Sequence, residues 1–193
     1  MAVYLFMMMN PLQTENFAHP PRNVGAMDIQ PGMIVADFGS GSGAYVLAIA
    51  ERLAHAGHVY AIDVQQDLLR RIKNESHKRG YKNVEIVWSD LERPYGSKIA
   101  DNHADRVLIS NLLFQLDDKD VLFSEAYRIL KPDGLLAVVD WSESFGGMGP
   151  HKSAVVKKEK ALSCAEKAGF EPVREFDAGA HHYGLIYKKP SHI

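Results

Sequence analysis

The sequence predicts an α/β protein built on a Rossmann-like, doubly wound sheet with helices on both faces. Short β-branched runs alternate with longer amphipathic stretches, and the first run leads straight into a glycine-rich turn. Two closely spaced strand-like runs stand near the carboxyl terminus. Alternating strands and helices form right-handed βαβ units, which place parallel strands side by side in one sheet. The 193 residues suffice for one domain with its own core.

Five strand candidates follow one another from residue 33. They read MIVADF, HVYAIDV, VEIVWSD, DRVLIS and LLAVVDW. Helices are predicted to begin near Ala44, Gln66, Asp117 and Ser153, where apolar residues recur at helical spacing. The last two runs, EPVREFDAG and HHYGLIYKK, are joined by the turn-prone DAGA, and strands joined so closely pair antiparallel. The predicted sheet is therefore parallel except for one reversed strand.

The composition is that of a globular domain. The formal net charge is −2 and 46% of the residues are hydrophobic, so no global attraction to nucleic acid or to an anionic membrane is expected. The single cysteine, Cys164, excludes an internal disulfide and a cysteine-built metal site, which favours a cytoplasmic protein.

The first residues, MAVYLFMMMN, are apolar but have neither the cationic lead nor the cleavage pattern of a signal peptide. The run is also too short to span a membrane. We therefore expect residues 1–23 to form an arm that covers the cofactor and substrate site of a domain at residues 24–193. Phe17, His19 and Arg22 are candidate lining residues, with a surface linker as the equal alternative.

The stretch IVADFGSGSGAYVLAIA places three glycines between a strand and a helix. Gly39, Gly41 and Gly43 lack Cβ atoms, so a ligand can approach the backbone closely. The helix that begins near Ala44 points free N–H groups and the positive end of its dipole at the same space. The alternative is a tight βα connection without a ligand. The acids that follow the next strands favour a nucleoside site.

Two carboxylates stand at the ends of the second and third strands. Asp63 follows Gly43 by 20 residues, a distance at which an acid accepts hydrogen bonds from both ribose hydroxyls. Asp90 can accept from an exocyclic adenine amine or, alternatively, cap a helix. Both acids lie where open α/β sheets bind ligands, at the carboxyl edge. We therefore expect one nucleoside to contact both.

Asp37 distinguishes between two nucleoside ligands. The loop also fits the G-x-G-x-x-A pattern of NAD-binding folds, but a carboxylate one turn away repels a diphosphate and attracts an ammonium group. A ligand that combines ribose, adenine and a cationic amino-acid tail fits these residues better than a dinucleotide does. That ligand is S-adenosylmethionine.

Over residues 24–189 these motifs resemble those of class I S-adenosylmethionine-dependent methyltransferases. The resemblance is to the ubiquinone/menaquinone-type, or methyltransferase type 11-like, group. The resembling segments are VADFGSGSG, AIDV, VWSDLE, ADRVLISNLLFQL and RILKPDGLLAVVDW. The resemblance implies a sheet of order 3-2-1-4-5-7-6 with strand seven antiparallel. It also implies a cofactor site formed by Asp37, Gly39, Ser40, Gly41, Gly43, Asp63, Val64, Asp90, Leu91 and Asn111.

Within that implied site, Asp37, Gly39 and Gly41 would face the methionine side of the cofactor, and Asn111 its sulfur end. Asp63 would hold the ribose, with Val64, Asp90 and Leu91 around the adenine. The fourth-strand motif reads SNLLFQL and departs from the N/D-P-P-Y form of enzymes that methylate amines of nucleic acids.

Three residues near the same edge are candidate catalytic groups. Asp140 ends the fifth strand, and His151 closes the glycine-rich loop SESFGGMGPHK that follows it. His181 stands at the last turn; strand alternation places it on the face of Tyr183 and opposite to His182, so these three do not form a cluster. No metal site is predicted.

We expect in-line methyl transfer from S-adenosylmethionine to a small or medium organic acceptor, by a monomer or homodimer. The alternatives are an RNA- or protein-directed methyltransferase of the same fold, and a non-catalytic cofactor-binding or activator subunit. An NAD-dependent oxidoreductase is disfavoured by Asp37 and by the short chain.

Overall fold

The computed structural model describes residues 18–191. Within that range one sheet has seven strands in the order β3-β2-β1-β4-β5-β7-β6. The strands are β1 (Ile34–Phe38), β2 (His58–Asp63), β3 (Val84–Trp88), β4 (Ala104–Ser110), β5 (Leu130–Trp141), β6 (Glu171–Phe176) and β7 (His182–Lys188). The helices are α1 (Pro20–Gly25), α2 (Ala44–Arg52), α3 (Gln66–Lys78), α4 (Lys119–Ile129) and α5 (Lys158–Lys167), with a 3-10 turn at Leu113–Gln115.

The pairing confirms the predicted topology. Strand β1 pairs in parallel with β2 and β4, and β4 pairs in parallel with β5. Strand β7 runs antiparallel to both β5 and β6, with Trp141 opposite His182 and Phe176 opposite Gly184. The start of β7 therefore lies at the same sheet edge as the ends of the parallel strands.

An apolar cluster covers each face of the sheet. Helices α4 and α5 contribute Phe123 and Ala161 to one cluster, and helices α1 to α3 contribute Val24, Ile49 and Ile72 to the other. All five side chains are buried. With both faces covered, polar groups at the ends of the strands meet solvent or a ligand at the carboxyl edge.

Helix α5 starts at Lys158, so the predicted start near Ser153 is wrong. The residues before it are held in another conformation because Val156 is buried and its carbonyl accepts a hydrogen bond from the Tyr183 hydroxyl at 3.0 Å. A tertiary contact to β7 has overridden local helical spacing.

Helix α1 crosses the predicted boundary between the arm and the domain. Its Arg22 forms an ion pair with Asp177 at 2.6 Å, next to the turn between β6 and β7. His19 is the N-cap residue, and its side chain accepts from the backbone N–H of Arg22. Phe17 lies outside the described residues. Among the helices at residues 18–191, none combines the length and the hydropathy that a membrane span requires.

Candidate functional site

The glycine loop uses its own backbone donors to attach itself to β2. The N–H groups of Gly39 and Ser40 both donate to the Ile62 carbonyl, at 2.9 and 3.0 Å. The next N–H, of Gly41, donates to Asp63 Oδ2 at 2.9 Å. A phosphate cradle needs such donors free. The committed donors therefore argue against a dinucleotide diphosphate here, independently of the charge on Asp37.

Of the three loop glycines, Gly41 alone borders open space. A Cβ atom on Gly39 would lie 2.8 Å from the Leu112 side chain, and one on Gly43 would lie 2.5 Å from Ile72. A Cβ atom on Gly41 would meet no described atom closer than the Gly39 carbonyl oxygen at 3.9 Å. Packing thus accounts for the glycines at positions 39 and 43, whereas the space over Gly41 is available to a ligand.

Asp37 is 1% exposed at the end of β1, and its Oδ2 has no hydrogen-bond partner within residues 18–191. Burial, and to a smaller extent the charge of Asp63, raise the pKa of Asp37 to about 7. At neutral pH this carboxyl is therefore about half protonated, rather than the fixed anion assumed from the sequence. A cation bound beside it would favour the ionised form and would lower its pKa.

Two amide side chains, those of Asn23 and Asn111, are also incompletely hydrogen-bonded within residues 18–191. Asn23 donates from Nδ2 to the Tyr45 hydroxyl at 2.9 Å and to the Ala178 carbonyl at 3.1 Å. Oδ1 of Asn23 and Oδ1 of Asn111 are buried and unpaired in the part of the chain that the structure describes. Asn111 follows β4 in a left-handed conformation, with φ of 51°.

Tyr45 accepts a hydrogen bond from Asn23 and lies close enough to Asp37 for that charge to affect its pKa. Burial, and to a smaller extent the charge of Asp37, raise the pKa of Tyr45 to about 12, so the hydroxyl stays protonated. Neither Asn23 nor Tyr45 was predicted as a site residue. No motif marks Asn23, because it reaches the site through a contact with Ala178, which is 155 residues away in sequence.

Asp63 joins the loops that follow β1 and β2. It is 8% exposed and accepts from the N–H of Gly41 at 2.9 Å and from that of Gln65 at 2.8 Å. Val64 beside it is 57% exposed, and Trp88 at the end of β3 is 58% exposed. The Trp88 indole donates to the Val64 carbonyl at 3.0 Å. Together Val64 and Trp88 form an exposed apolar surface that a flat ring can cover.

Asp90 caps the turn that follows it. Its Oδ1 accepts from the Glu92 N–H at 3.0 Å, and its Oδ2 bonds the Arg93 guanidinium at 3.1 Å. The alternative role predicted for Asp90 was to cap a helix. In the structure Asp90 caps a turn instead. Each carboxylate oxygen has two acceptor sites, so a further donor can still bind. Leu91, next to it, is 5% exposed.

Asp140 is buried with both carboxylate oxygens hydrogen-bonded to backbone. Oδ2 accepts from the Leu113 N–H at 2.9 Å, and Oδ1 accepts from the Trp141 N–H at 2.8 Å. Burial raises the pKa of Asp140 to about 6, although these hydrogen bonds act in the opposite direction and lower it. The geometry suits a group that holds the loop after β4 in place, which includes the backbone next to Asn111.

The two candidate histidines are in different settings. His151 is exposed, and its Nδ1 lies 2.9 Å from the Ser153 hydroxyl. His181 lies with Nδ1 2.7 Å from Glu143 Oε1, and its ring stacks on Phe145 with centroids 3.9 Å apart. It precedes β7 with φ of 64°, so the prediction that strand alternation orients His181 is wrong.

The sheet order, the glycine loop after β1 and the acids after β1, β2 and β3 define a class I methyltransferase fold. The chain belongs to the methyltransferase domain family, whose model, described as "Methyltransferase domain", matches residues 29–180. Within residues 18–191, no three His, Cys, Asp or Glu side chains group as metal ligands.

Relatives and a solved structure show the same likeness. The ubiquinone/menaquinone biosynthesis C-methyltransferase of Hydrogenovibrio crunogenus is 32% identical over 116 residues, 60% of this chain and 44% of that protein. The demethylmenaquinone methyltransferase of Listeria welshimeri is 30% identical over 118 residues, which are 61% of this chain and 48% of that protein. These alignments span less than half of each relative. A SAM-dependent methyltransferase from Aquifex aeolicus superposes with a TM-score of 0.83 at 25% identity, over 98% of both chains.

Proposed function

We propose that the chain binds S-adenosylmethionine across the carboxyl edge of β1 to β4 and transfers its methyl group to a small or medium organic acceptor. The observation that carries this proposal is Asp37, whose buried Oδ2 lacks a donor within the described residues, beside a loop in which the N–H groups of Gly39, Ser40 and Gly41 are already used. That combination suits an ammonium group and not a diphosphate. When bound, the cofactor supplies a sulfonium-activated methyl group.

The residues present fit this ligand. We assign Asp37 and the loop Gly39, Ser40, Gly41 and Gly43 to the methionine end of the cofactor. Gly41 leaves the open approach and Asn111 adds a buried acceptor oxygen.

The loops after β2 and β3 would bind the nucleoside end of the cofactor. Asp63 has acceptor capacity left for the ribose hydroxyls. Val64 would flank the adenine, together with the exposed Trp88. Asp90 and Leu91 would face its polar edge.

Positioning is the main task of the protein in this reaction. Holding the acceptor in line with the methyl group can remove about 7–11 kcal/mol of the barrier, whereas a general base adds a factor of about 10²–10⁴. Of the catalytic candidates, His181 is the one oriented by a carboxylate, that of Glu143. Asp140 is committed to backbone N–H groups, which suits positioning, and His151 is exposed on its loop.

The acceptor class rests on the relatives. Two of them are named for methylation in quinone biosynthesis, which supports a small organic acceptor. We propose a cytoplasmic location from the single cysteine. Supplying labelled cofactor to a fractionated extract separates the alternatives: label in RNA or protein would identify a macromolecular acceptor, and no label would indicate a non-catalytic subunit.

The cofactor assignment predicts a ligand-specific gain in stability. S-adenosylhomocysteine at 100 times its dissociation constant is expected to stabilise the fold by about 2.7 kcal/mol. NAD is expected to give no shift, because its diphosphate finds the loop donors occupied. Thermal unfolding with each ligand measures both effects. A shift with NAD and none with S-adenosylhomocysteine would reject the proposal.

Asp63→Ala is expected to weaken S-adenosylhomocysteine binding about 100-fold. The variant loses the ribose acceptor and also the hydrogen bond that fixes Gly41; two hydrogen bonds to a charged group contribute about 3 kcal/mol or more. Asp67→Ala is the matched control, because Asp67 is an exposed aspartate on α3 that pairs with Arg70. Equal affinity of the two variants in calorimetry would show that the ribose lies elsewhere.

A further inference from the structure

The loop after β5 and the turn before β7 bring three side chains together at the carboxyl edge. Glu143 and Phe145 come from the loop after β5, and His181 is the residue before β7. Nδ1 of His181 lies 2.7 Å from Glu143 Oε1, and the His181 and Phe145 rings stack with their centroids 3.9 Å apart. His181 was a candidate from the sequence, whereas Glu143 was not predicted as a site residue.

The contact with Glu143 selects one tautomer of His181. An ionised carboxylate can only accept a hydrogen bond, so Nδ1 carries the proton and the lone pair of the neutral ring is on Nε2. The stack on Phe145, with 19° between the two planes, fixes the plane of the ring. The His181 side chain is 21% exposed and that of Glu143 is 62% exposed, so an acceptor molecule can approach the pair.

The backbone of His181 is held in a disfavoured conformation. Its φ of 64° lies in the left-handed region, which is uncommon for a residue with a Cβ atom. Its carbonyl accepts from the Ser142 N–H at 2.8 Å, which ties this turn to the end of β5. Residues held in this way cluster at functional sites, where the surrounding structure has to place a side chain accurately.

The pair lies close to the proposed cofactor site. Strand β5, whose loop carries Glu143, lies between β7 and β4 in the sheet. Asn111, part of the proposed cofactor site, follows β4 and donates from its N–H to the Val139 carbonyl of β5 at 2.8 Å. Strands β7 and β4 are two positions apart, a separation of about 10 Å. One small acceptor molecule therefore fits between His181 and the cofactor.

We infer that Glu143 is a positioning residue, which orients His181 as the general base for methyl transfer to a hydroxyl group. This inference rests on the proposed methyl transfer. In that step His181 Nε2 takes the hydroxyl proton, while the acceptor oxygen bonds the methyl carbon and the bond from that carbon to sulfur breaks, with its electron pair going to sulfur. The products are a methyl ether, S-adenosylhomocysteine and an imidazolium beside the Glu143 carboxylate, which then loses its proton to solvent.

The chemistry of the pair indicates the acceptor class. A hydroxyl group must lose its proton when its oxygen is methylated, so it needs a base. The Glu143 carboxylate stabilises the imidazolium that forms, because it places a negative charge 2.7 Å from the ring nitrogen. A thioether or a tertiary amine has no proton to lose and would not use this pair.

The test measures transfer of labelled methyl groups from S-adenosylmethionine to phenol and to 4-nitrophenol at pH 8, where 4-nitrophenol is already largely ionised and needs no base. His181→Asn is expected to lower kcat for phenol about 10²–10⁴-fold and kcat for 4-nitrophenol less than about threefold. Asparagine is chosen because it tolerates the left-handed conformation at position 181.

Glu143→Gln is expected to lower kcat for phenol about 10- to 100-fold with KM nearly unchanged, because the charge beside the imidazolium is lost. Glu143→Asp restores a carboxylate and should recover part of this loss. Glu85→Gln is the matched control and should keep the wild-type rate, since Glu85 pairs with His58 Nε2 at 3.1 Å at the amino ends of β3 and β2.

The ¹⁵N resonances of His181 provide a readout that does not depend on turnover. They are expected to show the proton on Nδ1 in the wild type, and a proton on Nε2 of the neutral ring would overturn the inference. Equal losses with both phenols in His181→Asn would also overturn it, as would an unchanged kcat in Glu143→Gln. No transfer to phenol by the wild type, while label enters the extract, would reject the hydroxyl acceptor alone. A wild type that neither binds S-adenosylhomocysteine nor labels any fraction would overturn the proposed function.

Discussion

Replacing Asp37 with asparagine is expected to make the ligand-free protein more stable above pH 7 and, in the same variant, to weaken its affinity for S-adenosylmethionine. The pKa of Asp37 is raised from 3.8 to about 7, chiefly by burial, which corresponds to a cost of about 4 kcal/mol for the ionised carboxylate. Asparagine removes the charge but still buries polar atoms, so we expect a gain of about 1–3 kcal/mol.

The pH dependence follows from the direction of this change. Because the folded pKa lies above the unfolded one, the contribution of Asp37 to stability is fully present below about pH 4 and is lost as the pH rises through about 7. The variant should therefore gain over the wild type at pH 8 and gain little at pH 4. Urea unfolding at both pH values measures the difference.

Asp140→Asn provides the matched control. Asp140 is an equally buried aspartate at the same edge, but both of its oxygens accept from backbone N–H groups, so an amide there leaves a donor facing a donor. It is expected to gain less stability than Asp37→Asn. A loss of stability in Asp37→Asn at pH 8 would contradict the prediction, because it would mean that Oδ2 has a donor that the asparagine has lost.

Cofactor affinity should move in the opposite direction to stability. An ammonium group beside Asp37 recovers the cost of ionisation, so we expect Asp37→Asn to bind S-adenosylmethionine at least about tenfold more weakly at pH 8. Wild-type affinity should also fall as the pH drops below about 7, where Asp37 is protonated before the ligand binds. Calorimetry across pH 5.5 to 8.5 measures both.

The strand order was predictable because local patterns encode it. Each parallel strand ends in a motif with its own chemistry, and the turn DAGA allows only an antiparallel partner for the strand before it. The start of α5 was not predictable in the same way. Val155 and Val156 fit a helical pattern locally, and the hydrogen bond from Tyr183 that holds Val156 outside the helix crosses from another strand.

The site was predictable only as far as motifs reach. The acids and glycines were placed at the carboxyl edge from spacing, and their roles toward a cofactor stay predictions. Asn23 and Tyr45 were missed because their meeting depends on how α1 packs. The protonation of Asp37 was missed because burial of a carboxyl cannot be read from its neighbours in sequence.

Gly41→Ala and Gly43→Ala are expected to separate ligand binding from folding within one loop. At Gly43, φ is 83° and a Cβ atom would lie 2.5 Å from Ile72 Cγ1. Backbone strain and overpacking together should cost about 2–5 kcal/mol of unfolding free energy. This corresponds to a melting temperature lower by roughly 4–20 °C for a domain of this size.

At Gly41 the same substitution should act mainly on the ligand. Its φ of 51° lies in the left-handed region that alanine enters at a cost of about 1–2 kcal/mol, and no described atom lies within 3.9 Å of the new methyl group. That methyl group would occupy the space assigned to the cofactor, so affinity for S-adenosylhomocysteine should fall at least about tenfold. If Gly41→Ala binds as the wild type does, the ligand does not pass over this loop. Packing against Leu112 and Ile72 already explains the glycines at positions 39 and 43. The cofactor assignment therefore depends on the open space at Gly41 and not on the number of glycines in the loop.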